Sequence, residues 1–481
     1  MRKTKIIATI GPSTRSPEKL RRLIDAGCNV MRINMSHSSQ EEARSLIQDI
    51  RTISERVAIL VDTKGPEVRT TDVEEPVYLE EGSEVVLRGE AGLSDAALIR
   101  VSYHNLPQVL DEGTEILIAD GQIELIVEQV EVDQLRCRVH RGGKLGSKKG
   151  VNIPGVKLPM PFISEQDASD ITFAAEQRAD FVAASFVSEA EDIRQVRRLI
   201  ERAGGEASIV AKIESRYACE NLNEIVAAAD GLMVARGDLG VEIPPEEVPI
   251  MQKKIIDRCR DAGRLVIVAT EMLESMIQNP RPTRAETTDV ANAIFEGADA
   301  VMLSGETSVG KYPFATVEMM GRIAQIAERE VERRGAHKRT DGEREGAGEV
   351  TDLICKSAWF AAEELQIRGI LVPTSSGRTA RRMSAYRPRV GILATTPDLA
   401  TARRLALNYG VFALPAKHYG RMENMVRRSC QVMVEAGRIA SGDLIAVAAG
   451  VPVGRSGSTN LLSIQSVSEL IGRAVSDDGS Q

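Results

Sequence analysis

The 481-residue chain has no closely spaced cysteines: Cys28, Cys137, Cys219, Cys259, Cys355 and Cys430 lie far apart, with no CxxC pair. That removes the ligand spacing of a structural zinc site and the motif of a dithiol centre, leaving thiols that read as reduced and packed. Surplus positive charge is missing too. A formal net charge of -8 argues against a general nucleic-acid or membrane-surface binder and leaves room only for local anion sites. No apolar run approaches the ~20 residues that cross a bilayer. The opening MRKTKIIATIGPS is broken by Gly11-Pro12 and does not read as a cleavable signal. The expectation is a cytoplasmic protein with no nucleic acid and no membrane among its partners. Also lacking are a GxxxxGK[ST] loop and any plausible Ser/His/Asp set, which argues against a Walker-type nucleotide site and a triad hydrolase.

What the chain does have is apolar substance. With 43% hydrophobic and 27% charged residues it can bury more than one domain core. Eight short runs stand out: KIIATIG (5–11), NVMRINM (29–35), VAILVDTKG (57–65), FVAASFV (181–187), SIVAKIE (208–214), GLMVARGD (231–238), LVIVATE (265–271) and AVMLSGE (300–306). Each is followed by a polar or glycine-bearing tip and an amphipathic segment. Helix starts are marked by Ser16 before Pro17 and by capping-box spacings at Ser38 with Glu41, Ser188 with Glu191, and Thr283 with Glu286. Continuous apolar strands alternating with helices suit a parallel sheet buried on both faces, and eight units suggest an α/β fold of the closed (β/α)8 barrel type. An open doubly wound sheet is the structural alternative.

Between the third and fourth runs the period changes. SEVVLRG, TEILIADGQIELIVEQVEV and QLRCRVHRGGKLG alternate as strands between glycine turns, which reads as a β domain inserted over 70–155 on the loop side of the barrel. The barrel then comprises 1–69 plus 156–335. HKRTDGEREGAGE is nearly free of apolar residues and reads as a linker over 336–349, after which an α/β domain occupies 350–481.

Barrel chemistry belongs to the C-terminal strand ends. Those tips carry Arg32, Asn34 and Ser36; Asp62, Thr63 and Lys64, followed by Glu67 and Arg69; Lys212 and Glu214; Gly237 and Asp238; and Thr270 with Glu271. Taken singly, Lys212 and Glu214 read as a solvated ion pair, RGDLG as a capped turn, DTKGPEVR as a charged loop and His37 as a turn residue. Their coincidence on successive tips shifts the reading. Glu214 and Asp238 suit a hard divalent cation, and the neighbouring cations suit a phosphoryl group whose transfer depends on positioning and electrostatics.

MRINMSH (31–37), LVDTKGPEVRT (60–70), GSKKGVNIPG (146–155), AKIES (211–215), MVARGDLGVEIP (233–244), ATEMLESM (269–276), PRPTRAE (280–286) and AVMLSGETSVGKYP (300–313) closely resemble the pyruvate kinase family, in order from Lys3 to about Met320 and more weakly beyond. The resemblance implies phosphoryl transfer from phosphoenolpyruvate to ADP, giving pyruvate and ATP, the last step of glycolysis. It implies Lys212 as the group that meets the migrating phosphoryl, Arg32 as the holder of the substrate phosphate, and Glu214 and Asp238 as ligands of Mg2+ or Mn2+. Gly237, Asp238 and Thr270 would contact substrate, with Thr270 also serving the proton relay. Asn34, Ser36, Asp62 and Thr63 match the family's K+ site, and Glu67 stands where K+-dependent members carry glutamate. Arg69 and Lys149 match nucleotide-contacting positions, and 70–155 would be a small β-barrel lid that excludes water.

Two departures accompany the match: Thr71 stands where glycine is common at the lid hinge, and Glu271 where glutamine often follows the threonine. In the last domain, Thr374, Ser375, Ser376, Gly377, Arg378 and Thr379, with the glycine-rich 450–460, resemble the family's sugar-phosphate effector site; hydroxyls, an arginine and a helix start favour phosphate. A capped helix is the plain reading of the same segment. A three-layer α/β regulatory domain and a homotetramer follow from the resemblance alone. Another Mg2+-dependent barrel enzyme acting on phosphoenolpyruvate or a 2-oxo acid, and a catalytically dead metabolite sensor, are the alternatives.

Overall fold

The computed structural model describes residues 2–334, 349–417, 420–452 and 459–472. All eight apolar runs are strands of one closed parallel barrel: β1 (Lys5–Thr9), β2 (Val30–Asn34), β3 (Ala58–Asp62), β4 (Phe181–Ala184), β5 (Ser208–Ile213), β6 (Gly231–Ala235), β7 (Leu265–Ala269) and β8 (Ala300–Leu303). Closure is made by β8 pairing back to β1, with Lys5 opposite Ala300. The doubly wound alternative is therefore excluded.

Period 2 sorts each strand into two cores. Val30, Leu60, Phe181, Val210, Met233 and Ile267 pack together in the lumen, whereas Met31, Val61, Val182, Ile209, Leu232 and Val266 pack outward against the helices. Burying each such side chain stabilises the fold by about 1.5–3 kcal/mol. This dual burial explains why the runs carry no polar alternation until the tip.

Two of the expected capping boxes move by one residue. Helix Gln40–Ile53 is capped by Ser39 with Glu42, not Ser38 with Glu41. Helix Ala190–Arg202 starts after Glu189, where the Asp192 carboxylate accepts from the backbone N–H of Ser188 and Glu189, not with Ser188 and Glu191. In both, the chain stays extended one position longer than the spacing suggests, and the carboxylate three residues into the helix moves with the cap. Thr283 with Glu286 forms as expected.

Between β3 and β4 lies a seven-stranded sheet running from Val68–Arg69 through Gly150–Asn152 to Leu98–Arg100. Its two ends meet through a single bridge, Thr70 to Val101, so the sheet curls toward a small barrel. Thr71 donates its backbone N–H to Arg100 O and pairs its hydroxyl with Ser94 Oγ at 2.8 Å, and its φ is not left-handed, so this turn does not require a glycine. Residues 335–348, most of the expected linker, lie outside the described residues.

The last domain is a five-stranded sheet of β9 (Gly369–Pro373), β10 (Gly391–Thr396), β11 (Val411–Pro415), β12 (Leu444–Gly450) and β13 (Thr459–Ser466), ordered β11-β10-β9-β12-β13 with β13 antiparallel. It sits under the N-terminal ends of the barrel strands. Arg403 Nε donates to Asp180 Oδ1 at 2.7 Å and Arg387 Nη2 pairs with Asp299 Oδ1 at 3.0 Å. Between these pairs a single 3-10 turn, Leu405–Leu407, places Leu405 in this domain's core and Leu407 in the barrel lumen. All six cysteines are buried thiols. No described helix is long and apolar enough to cross a membrane.

Candidate active site

On β2, β3 and β5 the lumen side turns from apolar to charged at the C-terminal end, because the same period that points Val30, Leu60 and Val210 inward also points Arg32, Asp62, Lys212 and Glu214 inward. Arg32 donates Nε to Asp62 Oδ2 at 2.6 Å and Nη1 to Thr9 Oγ1 at 2.9 Å. Lys212 Nζ lies 2.8 Å from Glu214 Oε1 and 3.4 Å from Asp62 Oδ1, and donates to Ser185 Oγ at 2.7 Å. Burial works against the Lys212 charge, but Asp62 and Glu214 outweigh it and raise the pKa above the ordinary lysine value. For Asp62 burial pushes upward, yet Arg32 and Lys212 together hold it below the usual carboxylate range.

Glu214 goes the other way. Burial raises it, the shared Lys212 only partly compensates, and the negative charge of Asp238 raises it further. The Asp238 carboxylate accepts no hydrogen bond among the described residues and lines a cleft of about 1000 Å³ between barrel and inserted domain. Two carboxylates of which one is strained by burial and the other lacks a partner form a place where a cation would relieve repulsion. No group of three or more His, Cys, Asp or Glu is placed to hold a metal ion among the described residues, so Glu214 and Asp238 stand as a pair. Such a donor set fits a hard divalent ion held by two carboxylates plus substrate oxygens and water.

Asn34 and Asp62 are register partners on β2 and β3. Asn34 Oδ1 accepts from Ser36 N at 3.1 Å, while Thr63 Oγ1 accepts from Ser185 N at 3.2 Å. The four expected K+ residues thus lie on two adjacent tips, Asn34 and Ser36 at the end of β2 and Asp62 and Thr63 at the end of β3. Gly65 follows at φ 77, and a Cβ there would fall 2.9 Å from Ser185 Cβ, so only glycine lets this loop cross so close to β4. Glu67 Oε2 accepts from Arg69 Nε at 2.6 Å, and Arg69 Nη1 reaches Lys148 O at 2.9 Å, tying β3's exit to the inserted domain. Lys149 is exposed beside them and lines the same cleft, as does His37. Across it, Asn152 Nδ2 donates to Glu242 Oε1 at 3.2 Å.

Thr270 and Glu271, at the exit of β7, have φ of 66° and 52°. Left-handed backbone costs a non-glycine residue about 1–3 kcal/mol and persists only where surroundings hold it. The Thr270 hydroxyl accepts from Gly237 N at 2.8 Å and donates to Ala269 O at 2.6 Å, which joins the tips of β6 and β7. All the expected catalytic and substrate residues therefore converge on one mouth. Ser185 was not singled out from the sequence, although its place at the tip of FVAASFV was the available signal.

The 374–379 segment lies far from this mouth, at the start of helix Arg378–Ala385. Gly377, at φ 75, donates its N–H to Thr374 Oγ1 at 3.0 Å. Thr379 is buried with its hydroxyl 2.5 Å from Thr459 Oγ1, and Arg378 pairs with Glu349 at 3.0 Å. Much of the glycine-rich 450–460, namely 453–458, lies outside the described residues.

Comparison with known proteins agrees with this architecture. Residues 1–317 match the family model for the pyruvate kinase barrel domain and residues 352–465 that for the pyruvate kinase alpha/beta domain. The chain is 46% identical to a pyruvate kinase of Geobacillus stearothermophilus over 98% of this chain and 81% of that relative. A pyruvate kinase of Sporosarcina psychrophila is 42% identical over 98% of this chain and 82% of the relative. One from Staphylococcus aureus strain MRSA252 is 43% identical over 98% and 81%. With both of its flanking folds and nearly its whole length matched, the chain belongs to the pyruvate kinase family.

Proposed function

We propose that the barrel mouth moves the phosphoryl group of phosphoenolpyruvate to the terminal phosphate of ADP, with Mg2+ or Mn2+ and K+ bound, releasing pyruvate and ATP. The observation that carries this reading is Lys212 Nζ, held between Glu214 and Asp62 and pointing up the lumen beside Arg32. Arg32 binds the substrate phosphate. Lys212 then neutralises charge on the phosphoryl group as its bond to the enol oxygen breaks and the bond to the ADP oxygen forms. Glu214 and Asp238 would hold the divalent ion, which when bound supplies charge stabilisation for the oxygens of the substrate. Asn34, Ser36, Asp62 and Thr63 would hold K+, and Arg69 with Lys149 the nucleotide phosphates.

The enolate left behind takes a proton at its terminal carbon. Thr270, with the backbone at Gly237, fixes the substrate carboxylate and takes part in that relay. Residues 70–155 act as a lid whose closure keeps water from the phosphoryl group. Supporting this is the Asn152–Glu242 hydrogen bond, which spans the cleft. The same reading includes a cytoplasmic homotetramer and a phosphorylated-metabolite effector at 374–379.

The test is a timed assay of both products from phosphoenolpyruvate and ADP, with Mg2+ and K+ present. Equal amounts of pyruvate and ATP are expected. Pyruvate without ATP would point to hydrolysis or a lyase and overturn the reading; no change on replacing K+ by Na+ would remove the monovalent site from it.

A further inference from the structure

The tip that carries Thr270 is held by a side chain the reaction does not use. Arg236 follows β6 directly, and its side chain is only 10% exposed. Nη1 bonds both oxygens of Asp289, at 2.8 and 2.6 Å. Nη2 bonds Thr270 O at 2.7 Å and Glu271 O at 3.1 Å, and lies 3.0 Å from Met272 Sδ. Nε is buried without a partner among the described residues. The planar guanidinium is thereby fixed by its two terminal nitrogens, with Asp289 of helix Arg284–Glu296 on one side and the left-handed pair Thr270–Glu271 on the other.

We infer that Arg236 is a positioning residue for Thr270. The β6 tip donates every bond that joins it to the β7 tip: the Arg236 side chain captures the Thr270 and Glu271 carbonyls, and the Gly237 N–H meets the Thr270 hydroxyl oxygen. A backbone that would otherwise relax out of the left-handed region is pinned by the carbonyls it must turn to stay there. Because Asp238 is two residues on from Arg236, the same clamp fixes the distance between Thr270 and the carboxylate proposed for the divalent ion. Lysine cannot replace it, since a single ammonium has no fork that meets Asp289 and two carbonyls at once. Asp289 anchors the clamp from outside the mouth, beside a cleft of about 700 Å³ that Arg236, Asp238, Thr270 and Glu271 share.

This inference rests on the role proposed for Thr270, and its test separates the two. Thr270→Ala, Arg236→Lys and the double variant are assayed with saturating phosphoenolpyruvate and varied ADP, alongside circular dichroism and thermal unfolding. Arg236→Lys is expected to lower kcat about 10–100-fold, the scale of a misplaced catalytic group, with the KM for ADP within about threefold of the parent. In the Thr270→Ala background the same substitution is expected to cost less than about threefold, because the group it positions is gone. A merely structural arginine would give losses that multiply, and that result overturns the inference. If Arg236→Lys does not fold, Asp289→Asn carries the test, with the same non-additivity and a loss of about 3–10-fold. Parent-like kcat in Asp289→Asn would then overturn it. Parent-like activity in Thr270→Ala would instead remove the Thr270 role and the clamp with it.

Discussion

The barrel has buried acids at both ends, and they are treated differently. At the floor, Asp180 accepts from Arg51 Nη2 and Arg403 Nε, both at 2.7 Å, and from Ile59 N at 2.8 Å. Asp299 is matched in the same manner by Arg387, Val266 N and Tyr409 N. At the mouth, buried Glu214 accepts from Phe186 N at 2.6 Å but shares its lysine with Asp62, and the half-buried Asp238 carboxylate has no hydrogen-bond partner among the described residues. A buried carboxylate stabilises a fold only when its lone pairs are met, and an unmet one waits for a ligand. The contrast says which end is architecture and which is chemistry.

Breaking the floor should produce the largest effect. Asp180→Ala leaves Arg403 and Arg51 without their acid and is expected to lower stability by about 3–5 kcal/mol, measured by denaturant unfolding, while kcat per folded molecule stays within about twofold. At the mouth the pattern should invert. Lys212→Met is expected to lower kcat about 10²–10³-fold, or about 3–4 kcal/mol in the barrier, with a smaller loss in unfolding free energy than Asp180→Ala. If the two variants traded signatures, the division between the two ends would collapse.

A pH series sharpens the floor further. Lys5, on the lumen side of β1, is buried and donates Nζ to Val411 O at 2.5 Å. Burial, with the nearby Arg2 charge, lowers its pKa from the ordinary 10.5 to about 7. Between those values the unfolded chain holds the proton and the folded chain does not. The penalty is therefore fully present below pH 7 and is relieved as pH rises toward 10.5. From pH 6.5 to 8.5 the parent should gain about 2 kcal/mol relative to Lys5→Met, followed by parallel thermal melts. The smallest effect belongs to the cleft: Asn152→Ala removes one hydrogen bond to Glu242 and is expected to raise the KM for ADP about 2–10-fold, with unfolding unchanged.

Much of the mouth was legible because it obeys local rules. Period 2 alone places Lys212 and Glu214 on one side of β5, and both prove to face the lumen end. The eight strands were legible for the same reason, being short apolar runs with polar tips. The floor was not, since Arg403 and Asp180 are 223 positions apart and no spacing links them. Thr270 was legible as a tip residue, yet its left-handed backbone was hidden because no glycine or asparagine advertises it. Arg236 was hidden in RGDLG for a related reason: its meaning lies in carbonyls on the neighbouring strand. The caps at Ser39 and Glu189 show the finer limit, where adjacent serines and acids offer two registers and only the chain's exit angle selects one.

The Leu405–Leu407 turn has a consequence for how this chain can be divided. Leu407 fills the lumen beneath Val30, Phe181 and Leu265, so the lowest layer of the barrel is completed by a side chain from the far end of the sequence. A fragment ending at Arg334 would have all eight strands and every residue of the mouth, but its lowest layer would stand open to water. Barrel and last domain thus share one apolar turn, and shortening the chain to the barrel would yield a leaking vessel.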